Sequence, residues 1–176
     1  MPPILHDRIS TPLGPMALMA RDGVLLALEF DEEETCIARE MRRRFPGENA
    51  QHTDNPFGFT ALIGSYFAGD LSAIDGIPAD GGGTEFERQV WAELRRIPCG
   101  ETQSYGEVAR RLGDPNLSRA VGIANSRNHN AIVVPCHRVI GSDGTLTGYA
   151  GGLHRKQWLL RHEHAPAVAQ GDLFSI

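Results

Sequence analysis

The chain has 176 residues and a net charge of −5, and this acidic balance argues against a general polyanion binder. Its three cysteines form no CxxC pair, so the sequence suggests neither a disulfide framework nor a four-ligand zinc site and fits a reducing compartment. No apolar stretch approaches membrane-spanning length and the N-terminus lacks the regions of a signal peptide, so we expect a soluble, cytoplasmic protein that binds no membrane.

Three short apolar runs separated by turns open the chain, at residues 8–10, 16–19 and 24–30. They predict a meander of strands, which a charged helix over about 33–45 and a helix through 59–67 follow. Residues 77–83 are the best linker in the sequence, and the charge balance changes there from −7 before residue 85 to +2 after residue 84. We therefore predict an N-terminal domain over residues 1–80.

Helix signals become sharper after the linker. Thr84 and Glu87 have the spacing of a capping box, and Ser104 and Glu107 repeat it. Asp114 precedes a proline and predicts the start of a further helix that ends near residue 125. The last two helices form a helix-turn-helix candidate, although such pairs are common in proteins that never contact nucleic acid.

The helix after Asp114 has an unusual composition for a helix that reads DNA. Its small residues are Ser118, Ala120 and Gly122, and Arg119 is the long charged side chain among them. Base reading needs several long polar side chains, so this surface suits close approach to the DNA backbone with little base discrimination. Tight packing against another helix explains the small residues equally well.

The segment Pro135–Arg138 places a thiol beside an imidazole, after an apolar run over 131–134 that predicts a short buried strand. A cysteine in that setting can be activated as a nucleophile, or it can be an ordinary core residue. Side chains alternate along a strand, so Cys136 and His137 face one cavity only if the chain turns there or a water joins them. Pro135 and Gly141 favour the turn.

The last predicted helix, over residues 153–163, carries a carboxylate on a partly apolar face, formed by Lys156, Leu159, Leu160 and Glu163. A buried carboxylate needs a partner. His137 is one candidate, because a carboxylate orients the base in nucleophile–base–orienter sets. Solvent or Arg155 are the alternatives.

A family resemblance runs through residues 86–163, in the segments Phe86–Trp91, Ile97–Thr102, Ser104–Ala109, Arg119–Gly122, Asn128, Ile132–Ile140, Gly148–Gly152 and Lys156–Leu160. With these motifs the chain resembles the bacterial single-polypeptide O6-alkylguanine-DNA alkyltransferases. The resemblance implies an α+β protein with an N-terminal ribonuclease-H-like α/β domain and a mostly helical, winged helix-turn-helix domain over residues 84–164. The tail over 165–176 matches no motif, which is typical of a disordered end.

The resemblance also implies a suicide repair protein in which Cys136 accepts the alkyl group irreversibly, without metal or other cofactor. Glu163 orients His137, which deprotonates Cys136 through a water, and Tyr105 donates a proton toward the guanine. The base pocket is implied at Val139, Tyr149, Ala150 and Gly151. Asn128 is implied as a hinge between the recognition helix and the active-site loop. No structural zinc set can be matched onto Cys36 and the scattered histidines.

The implied partner is double-stranded DNA carrying O6-alkylguanine, bound by a monomer through the minor groove with little sequence specificity. Arg119 fills the stack when the target base flips out, and Ser118, Ala120 and Gly122 lie against the backbone. O4-alkylthymine is a further candidate substrate. Two alternatives remain open: a cysteine hydrolase, and an alkyltransferase-like protein that binds lesions without transfer.

Overall fold

A computed structural model describes residues 1–166, and the predicted tail lies outside the described residues from position 167 onward. Helices and a small number of strands are mixed along the chain, which confirms the α+β class. The chain divides into two compact units. Unit 1 contains Met1–Gly82 and His129–Val133, and unit 2 contains Gly83–Asn128 and the chain from Val134 on.

Unit 1 is built on a four-stranded sheet of β1 (Ile4–Thr11), β2 (Gly14–Arg21), β3 (Val24–Phe30) and β4 (Ala50–His52). The strand order is β3-β2-β1-β4; the first three strands are antiparallel, and β4 pairs parallel with β1. The predicted three-stranded meander is confirmed. The sequence did not predict β4, because its three residues carry no hydrophobic alternation.

Two helices accompany this sheet: α1 (Cys36–Arg44) and α2 (Phe59–Phe67), the second preceded by a 3-10 turn over Pro56–Gly58. α1 packs against β2, and α2 packs against β1. All residues from Met16 to Ala20 are buried, so both faces of β2 are covered.

The first helix starts later than the sequence predicts. Glu34 has a φ of 58°, which no α-helix contains, and Asp31 Oδ1 accepts hydrogen bonds from the N–H groups of Thr35 and Cys36. Asp31 thus caps α1 in place of a residue inside the predicted range.

Residues 129–133 belong to unit 1, although the sequence-based division assigned them to the second domain. The Leu28 N–H donates to the His129 carbonyl at 2.8 Å, and the Ala131 N–H donates to the Leu28 carbonyl at 2.9 Å. The predicted strand over 131–134 is wrong: these residues form turns, with Ile132 at a φ of 73°. A short buried apolar run does not distinguish a strand from a buried turn.

Unit 2 is mostly helical, with α3 (Glu85–Leu94), α4 (Tyr105–Arg111), α5 (Ser118–Ser126) and α6 (Leu153–His162). Two-residue strands β5 (Gln103–Ser104) and β6 (Val139–Ile140) pair in parallel. Two 3-10 turns cover Pro115–Leu117 and Cys136–Arg138. Ala165, the first residue of the predicted tail, packs in a buried cluster with Leu146 and Leu160. The prediction that the disordered tail starts at residue 165 is therefore wrong for Ala165.

The helix starts in unit 2 follow the sequence closely. Both capping boxes are confirmed: Thr84 and Glu87 exchange side-chain-to-backbone hydrogen bonds at 3.1 Å in each direction, and Ser104 and Glu107 do the same at 3.1 and 2.9 Å. Asp114 caps the 3-10 turn that leads into α5. Within the described residues, no helix has the length and apolar character to cross a membrane.

We expect Thr84→Ala to lower the free energy of unfolding of unit 2 by about 1 kcal/mol, because it removes the acceptor of the Glu87 N–H. Both tryptophans, Trp91 and Trp158, lie in unit 2, so urea unfolding followed by tryptophan fluorescence reports on that unit. Thr84→Ser, which keeps the hydroxyl, is the matched control. Equal midpoints for the Ala and Ser variants would show that the cap contributes nothing.

Candidate active site

Cys136 opens a 3-10 turn, where the sequence had left open whether the chain turns. The Cys136 N–H donates to the Val134 carbonyl at 2.8 Å, and the Arg138 N–H donates to the Pro135 carbonyl at 3.0 Å. Cys136, His137 and Arg138 are all buried. In this turn, unlike in a strand, consecutive side chains do not point to opposite faces.

Two asparagines connect the end of α5 to this turn. Asn128 Nδ2 donates to the Val134 carbonyl at 2.8 Å, and Asn125 Nδ2 donates to the Cys136 carbonyl at 3.4 Å. Asn128 also hydrogen-bonds the Cys136 sulfur and so opposes the rise in its pKa. The position of the thiol is therefore fixed from the helix that precedes it in sequence.

The carboxylate of Glu163 holds both residues that follow Cys136. His137 Nε2 lies 2.8 Å from Glu163 Oε2. Arg138 donates through Nε to Oε1 at 2.8 Å and through Nη2 to Oε2 at 3.1 Å. The structure therefore brings His137 and Glu163 together, while Arg155, the alternative partner, donates to the Gly151 carbonyl.

The charge states of this cluster follow from its contacts. Burial alone would raise the pKa of Glu163, but His137 and Arg138 outweigh it and hold that pKa well below its usual range. Burial lowers the pKa of His137 and outweighs the opposing effect of Glu163. His137 is therefore neutral at pH 7 and Glu163 is ionised.

A neutral His137 beside an ionised carboxylate has a defined tautomer. Glu163 only accepts hydrogen bonds, so the ring proton is on Nε2 and the lone pair is on Nδ1. His137 Nδ1 is buried and has no hydrogen-bond partner among the described residues. A basic nitrogen is therefore available inside the protein, one residue from the thiol.

Burial raises the pKa of the Cys136 thiol, so the resting residue is protonated. The hydrogen bond from Asn128 and the charge of Lys156 act in the opposite direction. Lys156 is itself buried, and burial lowers its pKa to about 8. A thiol of this kind needs a base at the moment of reaction.

The carbonyl of Thr147 accepts hydrogen bonds from one residue of α4 and one residue of α6. Tyr105, the first residue of α4, donates its phenol proton to that carbonyl at 3.2 Å, and Lys156 Nζ donates to it at 2.9 Å. Lys156 Nζ also donates to the Val139 carbonyl at 2.5 Å. Burial raises the pKa of Tyr105, so its phenol is a proton donor at neutral pH.

The predicted pocket residues differ in exposure. Val139 is fully buried, Tyr149 and Gly151 are partly buried, and Ala150 is exposed. Burial raises the pKa of Tyr149 well above its usual value, with smaller contributions from Cys136 and Glu163. The phenol oxygen of Tyr149 is buried and has no hydrogen-bond partner among the described residues.

On α5, Arg119 is exposed, whereas Ser118, Ala120 and Gly122 are partly buried. Ile123, one turn further along, is 48% exposed and adds a large apolar side chain to the same face of α5. The sequence analysis missed it. The spacing in the sequence could have indicated it, because residues 119 and 123 are four apart and therefore share a helix face.

Two groups in unit 1 have the composition of metal ligands: Asp7, His52 and Asp54, and Glu29, Glu40 and His129. In the second group, Arg39 pairs with Glu29 and Arg44 pairs with Glu40, so resident cations already balance both carboxylates. In the first group, His52 and Asp54 are exposed. Neither group contains a residue of the Cys136 site.

Comparison with known proteins identifies the family. The family model described as 6-O-methylguanine DNA methyltransferase, DNA binding domain, matches residues 85–165. A methylated-DNA–protein-cysteine methyltransferase of Shigella flexneri is 48% identical over 163 residues, which cover 91% of this chain and 95% of that protein. This chain belongs to the methylated-DNA–protein-cysteine methyltransferase family.

Solved structures of methyltransferases agree with this assignment. The crystal structure of Mycobacterium tuberculosis O6-methylguanine methyltransferase has a TM-score of 0.77 and 39% identity, covering 92% of this chain and 93% of that one. The structure of Mycobacterium tuberculosis OGT in complex with DNA has a TM-score of 0.75 and 38% identity, covering 97% of this chain and 99% of that one. The region matched by the methyltransferase family model contains the whole Cys136 site, from Tyr105 to Glu163.

We expect Glu163→Gln to lower the free energy of unfolding of unit 2 by about 3–5 kcal/mol at pH 7, because it leaves the buried Arg138 charge without its carboxylate. Because folding lowers the pKa of Glu163, its stabilisation is complete above the ordinary glutamate pKa of about 4.3 and is lost as pH falls. The difference between wild type and variant therefore shrinks in acid. Urea unfolding at a series of pH values measures it.

Glu93→Gln is the control for this experiment, because Glu93 pairs with the exposed Arg96 near the surface. We expect it to cost less than about 1 kcal/mol. If Glu93→Gln and Glu163→Gln lowered the free energy of unfolding by similar amounts, the buried Glu163–Arg138 pair would contribute no more than a surface pair.

Proposed function

We propose that this protein repairs alkylated DNA by direct reversal, transferring the alkyl group from O6 of guanine to Cys136 in a single turnover. One observation carries the proposal: Cys136 lies on a buried turn next to a neutral histidine whose Nε2 is held by Glu163 and whose Nδ1 is free to accept a proton. Membership of the methyltransferase family and the DNA-bound structural relative support it.

The reaction begins with formation of the thiolate. His137 Nδ1 takes the thiol proton of Cys136 through one water molecule, and Glu163 stabilises the imidazolium that results. Asn128 and Lys156 stabilise the thiolate, since both favour the charged form of Cys136. The thiolate therefore forms only when His137 removes the thiol proton during the reaction.

Alkyl transfer exchanges two bonds. The sulfur of Cys136 bonds to the alkyl carbon while the carbon–O6 bond breaks and its electron pair stays with the guanine. Tyr105 donates its phenol proton toward the guanine ring, which improves the leaving group. The proton from Tyr105 stays on the guanine, and the thiol proton held on His137 returns through water to the Tyr105 phenolate. Overall the alkyl group replaces the thiol proton on Cys136, the guanine gains one proton, and no redox partner or cofactor is consumed. The thioether is stable, so the protein is spent.

A guanine inside a duplex cannot reach this turn, so the nucleotide must flip out at a cost of a few kcal/mol. We propose that α5 lies in the minor groove, where its small residues allow backbone contact and the exposed Arg119 fills the vacated stack. The exposed Ile123 lies on the same helix face, and in this arrangement it would contact the sugar edges. Such a surface binds with little sequence specificity, and a monomer suffices.

Transfer can be tested with duplex DNA that carries O6-methylguanine with a labelled methyl group. We expect one equivalent of label per protein, located on Cys136 by peptide mass analysis, and none on Cys136→Ser. Cys36→Ser and Cys99→Ser, which remove the other two thiols, are expected to retain full transfer.

The other outcomes of this experiment separate the alternatives. Binding of the alkylated duplex without any transfer would indicate a lesion-binding protein. Catalytic turnover of an ester or amide, with no label retained, would indicate a cysteine hydrolase. Either result would overturn alkyl transfer to Cys136.

The flipping role of Arg119 predicts a difference between two substrates. We expect Arg119→Ala to slow repair of duplex DNA by about tenfold or more, since flipping costs a few kcal/mol, and to leave the reaction with free O6-benzylguanine nearly unchanged. Arg161→Ala removes one exposed cation from α6 and is the charge control. Equal losses on both substrates would rule out a role for Arg119 in flipping.

A further inference from the structure

We propose that Arg138 is a positioning residue for the proposed reaction: by neutralising Glu163 through both of its oxygens, it leaves His137 uncharged and able to accept the Cys136 proton. The inference rests on the proposed function and adds to it the device that sets the state of the base. Arg138 does not touch the reacting atoms. It acts through Glu163.

The contacts of Arg138 form a rigid clamp. Nε and Nη2 donate to the two different oxygens of Glu163, at 2.8 and 3.1 Å, and Nη1 donates to the Ile97 carbonyl at 2.7 Å. Arg138 is 6% exposed and Glu163 is 2% exposed. A buried, two-point arginine–carboxylate pair fixes orientation as well as charge.

The two hydrogen bonds from Arg138 to Glu163 affect the protonation state of His137. A buried carboxylate whose only partner is a histidine favours the imidazolium, because the pair must be neutral. Here the guanidinium already supplies the positive charge, and it cannot be deprotonated. His137 then only donates Nε2–H, and Nδ1 stays unprotonated.

The other ionisable groups around His137 are compatible with a neutral imidazole. From α6, Glu163 raises its pKa and Lys156 lowers it; from its own turn, Arg138 lowers it. Cys136, on the same turn, is a neutral thiol in the resting state, and Tyr149, from the loop before α6, is a neutral phenol. Arg138 is the member of this set that contacts Glu163 through two hydrogen bonds.

The test is the pH dependence of the reaction with free O6-benzylguanine, which needs no DNA binding. Removing the cation in Arg138→Gln raises the pKa of His137, so the acidic limb of the rate profile moves to higher pH. We expect a shift of about one pH unit or more, which makes the variant about tenfold slower on that limb and restores its rate in alkali. Arg138→Lys keeps the charge without the clamp, and we expect a smaller shift.

A structural role alone would give a different pattern, namely the same loss of rate at every pH. That pattern, or an unshifted acidic limb in Arg138→Gln, would overturn the inference. A wild-type protein that fails to react with O6-benzylguanine at any pH would instead overturn the proposed function.

A measurement on the wild type covers the case in which Arg138→Gln does not fold. Nitrogen-15 NMR of the His137 ring distinguishes the imidazolium from the two neutral tautomers. We expect the neutral tautomer protonated at Nε2 across pH 6–8, in the range where an ordinary histidine titrates at about 6.5. An imidazolium at pH 7 would overturn the inference without any variant.

Discussion

The burial of the Glu163 carboxylate is the constraint on which the active site depends. An ionised group without access to water is tolerated only when its lone pairs are satisfied, and three donors from two adjacent residues do this. Those residues are on the turn that starts at Cys136, so the same hydrogen bonds that allow α6 to bury its end also orient the base. Stability and chemistry therefore depend on one set of contacts, and a substitution at Glu163 cannot affect one alone.

The asparagines at the end of α5 give that turn a second attachment. Asn128 contacts both the backbone before Cys136 and its sulfur, and Asn125 contacts the Cys136 carbonyl. Asn125 within α5 therefore contacts the backbone of Cys136, and Asn128, two residues beyond the helix, contacts its sulfur.

Local sequence signals predicted those parts of the fold that local interactions determine. The capping boxes at Thr84 and Ser104 predicted the starts of α3 and α4, because a cap is a contact between residues three apart. The helical face of Glu163 indicated only that its carboxylate needs a partner, with His137, Arg155 and solvent as candidates, and the family resemblance implied His137. The strand predicted over 131–134 failed, because Ile132 at a φ of 73° is held by pairing of its neighbours with Leu28, a hundred residues earlier. Arg138 was missed as a partner of Glu163 since no sequence spacing links positions 138 and 163.

The passage of residues 129–133 through unit 1 has a consequence for how the chain can be divided. Ile132 and Val133 are buried, and the backbone of residues 129–131 pairs with β3, so residues 129–133 belong to the N-terminal sheet unit. A fragment cut at the glycines 81–83 would carry these apolar residues without the strand they pair with, immediately before its nucleophile. Residues 129–133 therefore depend for their pairing on a strand that lies a hundred residues earlier in the chain, and a split version of this protein that separates them from β3 leaves them without that partner.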